Sequence, residues 1–196
     1  VIRDEADDSV LNMAGLNKED DIFAPIIQST KRRTLWLGAN LVTAILAAAA
    51  IGIFEATIEK IVTLAILMPI VASMGGIAGM QSLALVIRSQ ATNQIGSSNS
   101  KLLILKESAI GVLNGILWSS VVSIAVYLWF DSVFLGVVIA VALLVNLIIG
   151  AISGVTLPLI LKKLNIDPAI AGGVILTTIT DIVGFISLLG VATLIM

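Results

Sequence analysis

Five long apolar runs, separated by short polar stretches, divide the chain: 35–54, 61–87, 109–130, 133–157 and 169–196. About 20 apolar residues at 1.5 Å each are needed to cross roughly 30 Å of hydrocarbon, so every run is long enough to span a membrane. The runs are too long for barrel strands, and backbone polar groups in lipid must be satisfied within the segment, so all five read as helices. The expected fold is all-α, a polytopic membrane protein with five transmembrane helices. Composition agrees: 58% of the 196 residues are hydrophobic and 12% charged, with a mean hydropathy of +1.11, where soluble domains hold about 45–50% apolar residues.

A secretory signal is N-terminal with a short apolar region. Here a polar and charged stretch, 1–34, precedes the first full-length run, which therefore reads as a true span. Residues 1–24 carry seven acids, Asp4, Glu5, Asp7, Asp8, Glu19, Asp20 and Asp21, around a short amphipathic stretch. Residue 1 is not Met, and it is expected to follow a processed or upstream segment. On one side of the spans lie Arg3, Lys18, Lys31, Arg32, Arg33, Arg88, Lys101, Lys106, Lys162 and Lys163, and on the other Lys60 alone. By the positive-inside rule the N-terminus is cytoplasmic, and five spans then place Met196 on the extracytoplasmic side. The outer loops carry Glu55, Glu59 and Asp131, either as ordinary solvated charges or as a weak attractant for cations. A polar, turn-rich loop, "SQATNQIGSSNSK", separates the second and third spans.

The chain has no Cys and no His, so disulfides, thiolate or imidazole metal sites and imidazole proton relays are excluded. No G-x-x-x-x-G-K-[ST] run is present to cradle a nucleotide phosphate. An intramembrane aspartyl protease needs two aspartates at membrane depth, and the spans contain only Asp181. Neither an enzyme nor a nucleic-acid binder is expected, while a transport protein and a purely structural membrane anchor both stay open.

Asp181 lies in "VILTTITDIVGFISLL", an otherwise apolar run. An Asp at the centre of a spanning helix costs roughly 2.5–3.5 kcal/mol, so it needs a partner, a wet cavity or an ion. Thr177, Asp181 and Gly184 stand at i−4, i and i+3 and share one helical face, with Gly173 one turn away. Asp181 either binds a cation there or is a protonated hydrogen-bonding residue paired with Asn114 or Asn146. The second span, "LAILMPIVASMGGIAGMQSLALVIR", carries Pro69, Ser73, Gly75, Gly76, Gly79 and Gln81. Gly75 and Gly79 form a GxxxG step suited to close helix packing. Alternatively, Pro69 and the glycines loosen the backbone and turn carbonyl oxygens towards a cavity.

The stretch "PIVASMGGIAGMQSLALVIR" resembles the P-x-V-x-x-M-G-G-N-A-G-x-Q segment of the MgtE family of magnesium channels and transporters, which is related to animal magnesium carriers. "LKKLNIDPAIAGGVILTTITDIVGF" is similar to the last helix of that family, with its Asp-Pro start and T-T-x-T-D core. "FAPIIQSTKRRTLWLGANLVTA" resembles the family's connecting plug helix, so the likeness covers the whole chain. It implies a homodimer with the ion path between subunits, walled by the second and fifth spans. It further implies Asp181 as the carboxylate of an intramembrane Mg²⁺ site, with Thr177 and Gly173 beside it. Pro69, Ser73, Gly75, Gly76, Ile77, Gln81 and Gly184 would line the pore. Full-length members carry cytosolic N and CBS regulatory domains, so 1–34 would be the cytoplasmic acidic segment and plug-like helix and 35–196 the transmembrane domain. Where the family usually has Asn, this chain has Ile77, a branched apolar group in place of an amide.

Mg²⁺ keeps several waters and is usually held by one or two carboxylates. Two Asp181 side chains facing each other across a dimer axis would suit it. Mg²⁺ is the expected transported ion, and as a regulatory ligand it would act on the cytosolic side. Mn²⁺ and Co²⁺ are candidate competitors, and membrane lipid is the remaining partner. The alternative is a cation- or proton-coupled carrier, for Mg²⁺ exchange or an organic solute, with Asp181 as the coupling site.

Overall fold

The computed structural model describes residues 12, 16, 25–92 and 99–196. Its helices are α1 (Ile26–Gly52), α2 (Glu55–Lys60), α3 (Thr63–Ala91), α4 (Ser100–Phe130), α5 (Val133–Lys163) and α6 (Pro168–Ile195). Among the described residues there is no strand, and five helices, all but α2, are long and apolar enough to cross a membrane. The all-α architecture with five spans is therefore as expected. Most of the acidic stretch, 1–11, 13–15 and 17–24, and the loop residues 93–98 lie outside the described residues.

Helix ends differ from the apolar runs. α4 starts at Ser100, not 109, taking in Lys101, Lys106 and Glu107. α5 runs past 157 through Pro158 to Lys163. Helical hydrogen bonding does not stop where apolar surface stops, and long Lys stems can lie along the helix while their ammonium groups reach water. The segment between the first two spans contains the one-turn-and-a-half α2, whose buried Thr57 hydroxyl stands 2.7 Å from the Thr193 hydroxyl of α6. Two side-chain caps mark the sharp starts: Ser132 accepts from Leu135 N at 3.3 Å to open α5, and Asp167 accepts from Ala169 N at 2.8 Å to open α6. Pro168 follows at the first helical position, where its missing N–H costs nothing. Asn12 Nδ2 donates to Asp167 Oδ2 at 3.3 Å, bringing part of the N-terminal segment to this end of α6.

α5 is the central helix, packed against α3, α4 and α6, while α1 lies mainly against α6. Lipid tails are as apolar as leucine, so close van der Waals packing has to hold these helices together. Glycines supply it. A Cβ on Gly150 would sit 2.6 Å from the Gly75 carbonyl oxygen, one on Gly154 would run into the Gly79 carbonyl, and one on Gly79 would sit 3.1 Å from the Gly150 oxygen. Two small-xxx-small steps, Gly75/Gly79 and Gly150/Gly154, thus face each other backbone to backbone. Gly75 and Gly79 pack α3 onto α5, and α3 remains helical through Pro69 and all its glycines. Gly111 against Ala151 and Gly115 against Leu144 bring α4 onto α5 in the same way. The glycine layer separates two apolar clusters. One contains Leu64, Val71, Ile139, Leu143 and Leu188, and the other Leu83, Ile87, Ala169 and Leu176. The outward face of α4, including Leu113, Leu117, Val121, Ile124 and Leu128, is exposed and apolar, as lipid contact requires.

Candidate ion site in the groove between α3 and α6

α3 has two distinct faces. Leu64, Leu67, Val71, Gly75, Gly79, Ser82 and Val86 are buried, whereas Pro69, Ser73, Ile77, Gln81 and Ala84 form an exposed stripe at helical spacing. Beside that stripe runs an open groove of about 700 Å³, walled on the α3 side by Ala72, Ser73, Gly76, Ile77, Met80, Gln81 and Ala84 and on the α6 side by Thr177 and Asp181. Asp181 is half-buried and stands halfway along α6. Thr177 is one turn away on the same face, and its hydroxyl donates to the Gly173 and Val174 carbonyls at 3.1 and 3.0 Å. With its proton so engaged, the Thr177 oxygen keeps lone pairs available as an acceptor.

Six of the residues singled out from sequence thus meet in one groove: Ser73, Gly76, Ile77, Gln81, Thr177 and Asp181. Four do not. Pro69 lies on the same stripe one turn beyond the groove. Gly173 lies under Met80, with a Cβ there falling 3.9 Å from the thioether, and its carbonyl is occupied by Thr177. Gly75 and Gly184 are buried and point into the bundle, because both adjoin the Asn146 side chain. Met80, Ala72 and Ala84 complete the wall; none carries a polar group that would draw notice in sequence.

Asn146 is fully buried on α5. Its Nδ2 donates to the Val71 carbonyl at 2.8 Å, and a Cβ on Gly184 would sit 2.8 Å from that nitrogen, while one on Gly75 would overlap the amide. Among the described residues its Oδ1 has no hydrogen-bond partner. Interhelical hydrogen bonds in membranes average about 0.6 kcal/mol, and a buried unsatisfied acceptor costs about 1–3 kcal/mol. Among the described residues Asn146 makes its hydrogen bond to Val71 and none to Asp181.

A buried carboxylate, Glu107, lies just before residue 109, where the apolar run begins, and so falls outside the spans that the sequence predicts. It is 6% exposed, on the side of α3 away from the groove, and accepts a 2.8 Å hydrogen bond from Ser82. The only clue in sequence is that Gly111 and Gly115 continue its helical face at i+4 and i+8.

Among the described residues no group of three or more His, Cys, Asp or Glu gathers at one place. The lining of the groove carries one carboxylate, Asp181, with the Ser73 and Thr177 hydroxyls and the Gln81 amide. That donor set suits a hard, partly hydrated cation over a soft transition metal. Five apolar helices around a groove with one carboxylate at mid-helix define an integral membrane protein with a candidate cation path.

Residues 68–191 match the sequence profile of MgtE, described as a divalent cation transporter, and the chain belongs to the MgtE family. The magnesium transporter MgtE of Bacillus subtilis (strain 168) is 35% identical over 193 residues, which cover 98% of this chain and 43% of that protein. The proteins of the same name from Enterococcus faecalis and Thermus thermophilus are 30% and 27% identical across 100% of this chain and 43% and 44% of their own lengths. The chain thus spans less than half the length of these relatives.

Proposed function

We propose that this membrane domain passes Mg²⁺ into the cytoplasm down its electrochemical gradient, with Asp181 as the intramembrane ligand. The observation that carries the reading is the seating of Asp181 at mid-helix in the groove, with Thr177 one turn away and Ser73 and Gln81 on the opposite wall. The relatives' printed name, magnesium transporter, supports Mg²⁺ as the ion.

One carboxylate leaves a divalent ion with one uncompensated charge. A second copy of the chain, placed with its groove against the first, supplies the other Asp181 and neutralises the ion. It also covers the exposed stripe of α3 with protein in place of lipid. In this arrangement Mg²⁺ retains waters that bridge to Thr177, Ser73 and Gln81, consistent with its reluctance to dehydrate. With the Lys- and Arg-rich ends of the helices in the cytoplasm, a membrane potential of −100 mV favours inward movement of a divalent ion by roughly 4.6 kcal/mol, twice the value per charge. No coupled energy source is then required. Mn²⁺ and Co²⁺, hard enough to use the same oxygens, are proposed competitors. The acidic N-terminal segment is proposed to lead from cytosolic regulatory domains into α1; its Asn12 donates a hydrogen bond to Asp167 at the start of α6.

Equilibrium binding tests the site. Mn²⁺, detected by its electron paramagnetic resonance and displaced by Mg²⁺, is titrated into the purified chain and into Asp181→Asn. Loss of the displaceable Mn²⁺ in the variant is the expected result. Equal binding to both proteins would remove Asp181 from the site.

A further inference from the structure

We propose that Asn146 is a positioning residue for the ion site, setting the height of Asp181 on α6 against Ser73 and Gly76 on α3; this rests on the function proposed above. Asn146 is fully buried and is not itself one of the residues that line the groove. Its amide nevertheless meets both groove-forming helices at once. It is hydrogen-bonded to the Val71 carbonyl and seated against Gly75 on α3, and the same nitrogen is the nearest atom to Gly184 on α6. Val71 and Gly75 stand two residues on either side of Ser73, and Gly184 stands three residues beyond Asp181. Each anchor is therefore within one turn of a groove residue.

Glycine faces make smooth helix contacts that resist sliding poorly, whereas a directional hydrogen bond has one register. A one-residue slip moves a helix by about 1.5 Å. That is large beside the near-ideal octahedron at about 2.0–2.1 Å that Mg²⁺ demands. A single buried Asn between helices is known to specify register in coiled coils, and here its amide engages both groove-forming helices. The two glycines that sequence assigned to the pore thus act from behind it, by leaving room for the amide.

The test uses the full chain in proteoliposomes and reads the Mg²⁺ concentration dependence of influx, with Mn²⁺ influx alongside. Asn146→Leu removes the hydrogen bond at similar volume, and Gly184→Ala is the milder variant, pressing a methyl group on the amide nitrogen. Both are expected to raise the Mg²⁺ half-saturation concentration about tenfold, as disturbed supports of metal ligands do, and to erode the preference for Mg²⁺ over the more permissive Mn²⁺. If Asn146→Leu does not fold, Gly184→Ala decides the matter alone. A folded variant that loses only maximal rate, with half-saturation and preference unchanged, overturns the proposal. Asp181→Asn in the same assay separates the two ideas: its failure to reduce flux overturns the ion site and this inference together, while a sharp loss there beside wild-type behaviour of the other two overturns this inference alone.

Discussion

The Ser82 hydroxyl donates a 2.8 Å hydrogen bond to Glu107 Oε2, tying α3 to α4 on the side away from the groove. The two residues are 4% and 6% exposed, so neither is free to exchange its partner for water. Ser82→Ala strips the carboxylate of this donor and is expected to destabilise the protein by about 1–3 kcal/mol. Glu107→Gln keeps an acceptor for the hydroxyl and is expected to change stability by less than about 1 kcal/mol. Thermal unfolding in detergent, followed by helical circular dichroism, checks the order of the two.

Gly150 and Gly38 are expected to respond oppositely to a methyl group. Gly150→Ala forces the α3 and α5 backbones apart, since its Cβ would lie 2.6 Å from the Gly75 oxygen, and overpacking of this kind costs about 1–3 kcal/mol. Gly38→Ala meets nothing within 4 Å and is expected to be neutral or to stabilise α1 by up to about 1 kcal/mol. The same unfolding measurement separates them.

The five spans were legible because length and apolarity are local properties: a run such as 133–157 cannot be soluble loop or barrel strand, whatever packs against it. The pairing of Thr177 with Asp181 was legible for a related reason, since i and i+4 share a face on any helix. Which face meets which neighbour is not local. Gly184 has the spacing of a groove residue, yet it is turned inward by Asn146, a partner 38 positions away in sequence; Gly75 is turned inward by the same amide, 71 positions away. Glu107 precedes the apolar run that begins at 109, and only the surrounding helices show that it is enclosed.

Ile77 is 54% exposed within the groove, on the wall opposite Asp181. Ile77→Asn adds an amide oxygen able to accept from an ion's water shell. At about 0.5–1.5 kcal/mol for a hydrogen bond, the Mg²⁺ half-saturation concentration is expected to fall about two- to tenfold. Concentration-dependent influx into proteoliposomes measures it.

The chain has no cysteine, so a single introduced thiol reports without background. If two copies meet across the groove, Ser73→Cys is expected to yield a disulfide-linked dimer on mild oxidation in the membrane. Leu117→Cys on the outward face of α4 is expected to stay monomeric. Non-reducing electrophoresis gives the answer, and equal cross-linking at both positions would count against a groove-to-groove dimer.

The most direct measurement is Mg²⁺ influx into proteoliposomes at an imposed inside-negative potential, for the wild-type chain and for Asp181→Asn. The substitution keeps the shape of the side chain and removes its charge. The account expects potential-driven influx by the wild type and a loss of at least about tenfold in the variant, the scale on which metal sites respond to damaged coordination. Equal influx by the two folded proteins would contradict it, because the carboxylate in the groove would then have no part in passing the ion.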